Sequence, residues 1–240
     1  MNNLIVIENF SKSFGATKSV SNLSLSVKEG EIYGFLGPNG AGKSTTIKTL
    51  VGIYKKDKGD IKINNINIED SSYKQYFGYI PDEPYVYEGL NATQFLRFFA
   101  EMYSIDKDQI DKKVKDALDL FFIDEDVTLQ VQDFSRGSKQ KLIIASALMH
   151  SPKVLIIDEP MVGLDPSASV KFIQYMRDFA KNGGSVFVST HSLDIATKIC
   201  DRVGIIDKGH LKMEGSIKEV EEFSKKSSLE EVFFDVVDEK

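Results

Sequence analysis

One cysteine, Cys200, stands alone in 240 residues, so no disulfide can form within the chain, and a reducing compartment suits it. Long apolar runs are missing as well. The best, 142–149, falls far short of the roughly 18 residues that a membrane span needs. The start, Met1-Asn2-Asn3-Leu4, has neither the basic opening nor the long apolar core of a secretory leader. Basic charge is not in excess: 30 Lys and Arg against 36 Asp and Glu leave a net charge of −6, with no basic stripe. That balance weighs against DNA or RNA as the main ligand. Low-complexity tracts and internal repeats are absent too. What remains is a chain 42% hydrophobic, long enough for one large domain or two small ones with a sizeable core. The expected address is cytoplasmic.

Against these absences stands Gly37-Pro38-Asn39-Gly40-Ala41-Gly42-Lys43-Ser44-Thr45, which fits the G-x-x-x-x-G-K-[ST] phosphate-binding (Walker A) pattern without mismatch. It follows a short apolar run (32–36) and precedes a helix-compatible segment (44–51) that ends at Gly52. Glycines let successive backbone N–H groups converge on phosphate oxygens, where side chains would obstruct. The following helix adds its positive end. Lys43 offers a full charge to the β- and γ-phosphates, and the Ser44 hydroxyl can ligate Mg²⁺. The pattern points to a nucleotide; it does not say for what work.

The rest of the chain reads as an α/β architecture. Residues 4–7 form a short apolar run, and Leu23, Leu25 and Val27 alternate with serines at strand period, with a turn at Phe14-Gly15-Ala16 between them. Ile61 and Ile63, then Asn64-Asn65, then Ile66 and Ile68, predict a hairpin. From Asn91 to about Leu120 the pattern turns helical, with Phe95, Phe98, Phe99 and Met102 spaced as one buried face. Apolar strands return at 154–157 and 185–189, separated by a helical stretch at 167–181 with Gly183-Gly184 as its exit. Strands apolar on both faces and alternating with helices predict a parallel sheet sandwiched by helices. A further hairpin is expected across Asp207-Lys208-Gly209-His210, and Ser228-Leu229-Glu230-Glu231 reads as a capping box opening a last short helix.

The second nucleotide signal is Val154-Leu155-Ile156-Ile157-Asp158-Glu159-Pro160, an apolar strand that delivers a carboxylate at its end. Phosphate-loop enzymes hold Mg²⁺ in this way. Asp158 is placed to reach the metal, directly or through water, and Glu159 to polarise the attacking water. A third segment, Phe134-Ser135-Arg136-Gly137-Ser138-Lys139-Gln140-Lys141, opens another helix-compatible stretch (139–149) just before that strand. Taken together, the chain resembles the ATP-binding cassette (ABC) ATPases over essentially all 240 residues. The third segment stands where that family carries its Leu-Ser-Gly-Gly-Gln signature. Its departures, Phe134, Arg136 and Ser138, resemble the ABC-2-type exporters whose membrane subunits are separate chains.

The resemblance implies a phosphate-loop NTPase core, a mostly parallel sheet between helices, with an N-terminal antiparallel β subdomain and an inserted helical subdomain. One ATPase domain is expected, with residues 1–81 and 151–215 as the core, 82–150 as the helical subdomain and 216–240 as terminal helices. It implies ATP bound with Mg²⁺, hydrolysis, and a dimer in which Ser135 and Gly137 clamp the γ-phosphate held by the other subunit. Asp165 of Gly163-Leu164-Asp165 is expected at the dimer interface, and His191 against the γ-phosphate. Phe14, 23 residues before Gly37, takes the position of the adenine-stacking ring. Asp82 occupies the place of the family's metal-linking glutamine. A carboxylate can ligate Mg²⁺ yet adds negative charge beside the phosphates, so a metal-linked and a structural role both stay open. The implied partners are a second ATPase subunit and separate integral membrane subunits, on the cytoplasmic face of the cell membrane. The aromatic-rich segment 82–120 is the candidate docking surface. The rival reading is a soluble ABC ATPase serving a cytosolic assembly such as iron–sulfur cluster biogenesis. The interval from Lys43 to Asp158 is too short for the coiled coil of DNA-repair relatives.

Overall fold

Alternating apolar residues in the first 28 positions fold onto each other as a hairpin, β1 (Asn3–Phe14) and β2 (Thr17–Lys28). In the computed structural model, which describes residues 2–121, 123 and 129–238, this hairpin is half of an antiparallel sheet. Its strand order is β2-β1-β4-β5, with β4 at Lys58–Ile63 and β5 at Ile66–Asn67. Asn64 and Asn65 turn between the last two at φ 49 and 63, the left-handed region that asparagine tolerates.

The second sheet holds six strands in the order β10-β9-β3-β8-β7-β6. They are β3 (Ile32–Leu36), β6 (Phe77–Ile80), β7 (Val154–Asp158), β8 (Ser185–Thr190), β9 (Arg202–Asp207) and β10 (His210–Ser216). All neighbours pair in parallel except the β9–β10 hairpin. Side chains alternate between two cores. Ile32, Leu36, Leu155, Ile157, Val186 and Val188 enter one, whereas Tyr33, Phe35, Val154, Ile156 and Phe187 enter the other.

The first core is roofed by helices: α4 (Arg136–Leu148), α5 (Pro166–Lys181), α6 (Leu193–Ile199) and α8 (Leu229–Asp238). The second is covered by the antiparallel sheet together with α1 (Lys43–Leu50), which contributes Ile47 and Leu50. The parallel sheet is therefore flanked by helices on one face and by a helix plus a second sheet on the other. The run of apolar residues in β7 and β8 records burial on both faces but not what does the burying. Strand ends carry the loops that matter: β3 leads into the phosphate loop, β7 into Asp158-Glu159, and β8 into His191.

Between β6 and β7 lie α2 (Ala92–Met102), α3 (Lys107–Phe121) and α4, followed after β10 by α7 (Ile217–Ser224) and then α8. The 91–120 stretch is two helices, broken where Ser104 takes φ 54. Its buried face also differs from the sequence expectation. Ala92, Phe95, Leu96 and Ala100 are buried, while Phe98 is 36% and Met102 63% exposed. Of the four expected residues Phe95 is fully buried and Phe99 packs partly buried against the core, while Phe98 and Met102 turn outward and Ala92, Leu96 and Ala100 complete the buried stripe. At the last helix, Ser228 Oγ accepts the Glu231 N–H at 3.4 Å, but the Glu231 carboxylate takes the N–H and hydroxyl of Ser227 instead of Ser228. Only half of the capping box forms there. Among the described residues no helix is long and apolar enough to cross a membrane.

Candidate functional site

The chain leaves β3 at Leu36 and folds back at once. Gly37 is fixed by crowding, because a Cβ there would lie 2.3 Å from the Ile206 carbonyl oxygen. Gly42, at φ 112, is the N-cap of α1, and a Cβ on it would meet the Ser19 carbonyl at 2.7 Å. The loop encloses a cavity of about 160 Å³ lined by Ser19, Asn39, Gly40, Gly42, Lys43, Ser44 and Thr45. Ala41 is buried beneath it, and its carbonyl accepts the Gly209 N–H at 2.9 Å. The Lys43 amine donates to the Gly37 and Pro38 carbonyls at 2.6 and 3.1 Å. Burial lowers its pKa, while the charges of Glu159 and Asp158 oppose that shift. Ser19 Oγ donates to Thr45 Oγ1 at 2.8 Å, tying β2 to the start of α1.

β7 delivers Asp158, 8% exposed, to the same place. Burial raises its carboxyl pKa; the nearby negative charges of Glu159 and Asp82 push the same way, and Lys43 opposes them. Asp82 therefore lies within electrostatic reach of Asp158. Glu159 follows at φ 54, an unusual backbone for a non-glycine residue. Three donors hold its carboxylate. Thr190 Oγ1 donates to Oε2 at 3.0 Å, and the His191 N–H donates to Oε1 at 3.1 Å. His191 Nδ1 sits 2.6 Å from Oε1; since a carboxylate only accepts, Nδ1 carries the proton. Lys43 and Ser44 thus line the cavity, Asp158 and Glu159 lie within electrostatic reach of Lys43, Asp82 lies within reach of Asp158, and His191 sits on Glu159.

The structure does not bring Ser135 and Gly137 to that cavity. Ser135 caps α4, its Oγ accepting the Ser138 N–H at 3.1 Å, so the helix begins at Arg136, three residues before the expected start at Lys139. Ser135 lines a different cavity with Phe134, Ser138 and Lys141, and the two cavities share no residue. Gly137 packs on the segment after Glu159; a Cβ on it would meet the Gly163 carbonyl at 2.6 Å. Asp165 caps α5 by accepting the Ala168 N–H at 2.8 Å, and Lys141 reaches its other oxygen at 2.8 Å. These two bonds hold its carboxyl below the usual carboxylate range, the lysine contributing more. Phe14, 46% exposed at the end of β1, stands edge-on to Tyr54 at 5.1 Å, with the Lys12 amine 5.3 Å from its ring centre.

An oxygen-rich carboxylate pair facing a glycine loop at the ends of parallel strands is the geometry of nucleotide hydrolysis. The family model described as ABC transporter matches residues 20–162. The chain belongs to the ABC transporter family. It is 37% identical over 219 residues to the SkfA peptide export ATP-binding protein SkfE of Bacillus subtilis (strain 168), an alignment spanning 91% of this chain and 92% of that one. The linearmycin resistance ATP-binding protein LnrL of the same organism is 35% identical over 210 residues, 87% of this chain and 68% of that one. A solved ATP-binding subunit of an ABC transporter superposes with a TM-score of 0.91 at 31% identity, covering 97% of this chain and 99% of that one. Like other ABC cassettes, this chain binds and hydrolyses ATP.

Sequence reasoning passed over three residues that the geometry places at the site. Thr190 and Ser19 are hydroxyls in strands, with no local pattern to mark them. Gln140, 1% exposed in α4, donates through Nε2 to the Pro81 carbonyl at 3.3 Å, linking the signature helix to the loop of Asp82. Its place in 134–141, two beyond the substituted glutamine position at Ser138, was the available signal.

Proposed function

We propose that this chain is the ATPase subunit of an exporter and that it works as a dimer in which each ATP lies between two chains. The carrying observation is the separation of the two cavities. The phosphate loop with Asp158 and Glu159 grips ATP from one side, and Ser135 and Gly137 of a second copy close the other. A helix N-terminus, α4 here, presents N–H groups to phosphate oxygens. Asp165 sits at the contact between copies, and Phe14 stacks on adenine.

Mg²⁺ fits the donor set. Ser44, Asp158 and Asp82 offer oxygens only, which suits a hard cation. Among the described residues no group of three or more His, Cys, Asp or Glu side chains makes a metal cage, as befits an ion that keeps waters and substrate phosphates as ligands. Bound there, Mg²⁺ supplies charge neutralisation at the phosphates. Glu159 orients the attacking water and accepts its proton as the water oxygen bonds to the γ-phosphorus and the bond to ADP breaks. Lys43 and the loop N–H groups stabilise the charge, and His191 donates toward the γ-phosphate. Positioning and electrostatics carry such reactions.

Work is delivered to separate membrane subunits on the cytoplasmic side, with residues 82–150 as the helical subdomain that meets them. The named export and resistance functions of SkfE and LnrL support an exporter. Glu159→Gln is expected to bind ATP with unchanged affinity, hydrolyse it at least a hundredfold more slowly and accumulate as an ATP-bound dimer in size-exclusion chromatography. A variant that hydrolyses at the original rate removes Glu159 as the base.

A further inference from the structure

Glu159 is held from two directions by side chains of very different freedom. His191, on Oε1, is 66% exposed and lies just past the end of β8. Thr190, on Oε2, is the fully buried last residue of β8. The Thr190 hydroxyl has one proton, and its direction is set. The Ser192 N–H donates to Thr190 Oγ1 at 3.1 Å, so that oxygen is already an acceptor and its own proton is left for Glu159. Ser192 is in turn the N-cap of α6, its hydroxyl accepting the Ile195 N–H at 3.4 Å. A chain of donors therefore runs from the α6 N-terminus through Thr190 to the carboxylate. The Glu159 N–H meanwhile donates to the Ser189 carbonyl at 2.9 Å, anchoring the left-handed backbone at 159 to the same strand. We propose that Thr190 is a positioning residue for hydrolysis: its hydroxyl fixes the Glu159 carboxylate while His191 leaves it to meet the γ-phosphate.

The inference rests on Glu159 as the base and adds what holds it there. Without the Thr190 hydroxyl, a departing imidazole would leave the carboxylate with the His191 N–H on Oε1 alone and free to turn about it. With that hydroxyl on Oε2, both oxygens stay held. Thr190→Val keeps the β-branched shape and strand preference of the residue and deletes the hydroxyl, both the donor to Glu159 and the acceptor of the Ser192 N–H. Thr190→Ser keeps the donor and deletes a methyl group.

The test is steady-state ATP hydrolysis by the full chain with Mg²⁺, alongside ATP affinity and thermal melting, for Thr190→Val, Thr190→Ser and Glu159→Gln. Thr190→Val is expected to lower kcat by about tenfold or more with KM for ATP unchanged, as loss of a hydrogen bond to a charged group implies. Thr190→Ser should restore most of that rate. A Thr190→Val enzyme with the original kcat, or a Thr190→Ser enzyme as slow as the valine variant, overturns the inference. Should Thr190→Val melt too early to assay, the serine variant still decides: a rate near the original supports a hydroxyl role, and a tenfold loss contradicts it. Glu159→Gln separates the two levels. If it stays active, the base assignment fails, whereas an inactive Glu159→Gln beside a fully active Thr190→Val removes Thr190 alone.

Discussion

His150 shows how a single side chain can link elements that belong to different layers. It lies just past α4, its Nε2 3.0 Å from the Phe77 carbonyl on β6, and its ring stacks on Tyr103 at 3.7 Å between centroids. A carbonyl only accepts, so Nε2 carries the proton, and the buried Nδ1 has no hydrogen-bond partner among the described residues. Burial pushes the His150 pKa down from 6.5 to about 4. Between those values the unfolded chain binds a proton that the folded chain refuses. Stability is therefore complete above about pH 6.5 and falls as pH drops through the window. With the half-buried ring partly solvated, the loss between pH 7 and pH 5 is about 1–2 kcal/mol. Urea denaturation of wild type and His150→Phe at both pH values checks it. The phenylalanine variant should lose less stability on acidification, and equal losses would place the titration elsewhere.

The elements explain what sequence patterns could and could not reveal. The phosphate loop was legible because its backbone demands fix residue types: Gly37 has no room for a Cβ, and Gly42 has φ 112. β7 and β8 were legible because their burial on both faces leaves unbroken apolar runs. The face of α2 was legible only in part. Four large apolar residues at helical spacing predict a core stripe, and Phe95 and Phe99 meet it, but Phe98 and Met102 do not; Ala92, Leu96 and Ala100 complete the stripe instead, and their small or flexible side chains carry little signal. Thr190 was not legible, because its role appears only when two strands meet in register, Asp158 beside Ser189. The outward rings of α2 have a use in the proposed machine. Tyr85 and Tyr87 are 80% and 55% exposed, and Tyr87 meets Phe98 edge-on at 5.0 Å. Truncating both Tyr87 and Phe98 to alanine should abolish co-purification with membrane subunits from detergent-solubilised membranes while leaving the ATPase rate of the isolated chain within about twofold. Undiminished co-purification would move the docking surface elsewhere.

At the scale of the whole molecule, the proposed mechanism reads the fold as two half-sites that a second chain completes. Lys43 lines the phosphate-loop cavity, and Asp158, Glu159 and His191 follow the ends of β7 and β8, whereas Ser135 at the start of α4 lines a separate cavity and Gly137 packs against the Gly163 carbonyl. A symmetric pair of chains reconciles them, because an isologous interface sets each half against its complement. Neither the net charge of −6 nor the single cysteine bears on that pairing; the family resemblance of the motifs implied it. Complementation between two broken chains tests it most directly. Lys43→Ala disables the phosphate loop and leaves the signature helix, and Ser135→Ala does the reverse. Each is expected to be nearly inactive alone. Mixed in equal amounts, half of the dimers pair the two variants and hold one intact site, so the mixture should recover roughly a quarter of the wild-type ATPase rate. A mixture no more active than its two components would contradict a site shared between chains.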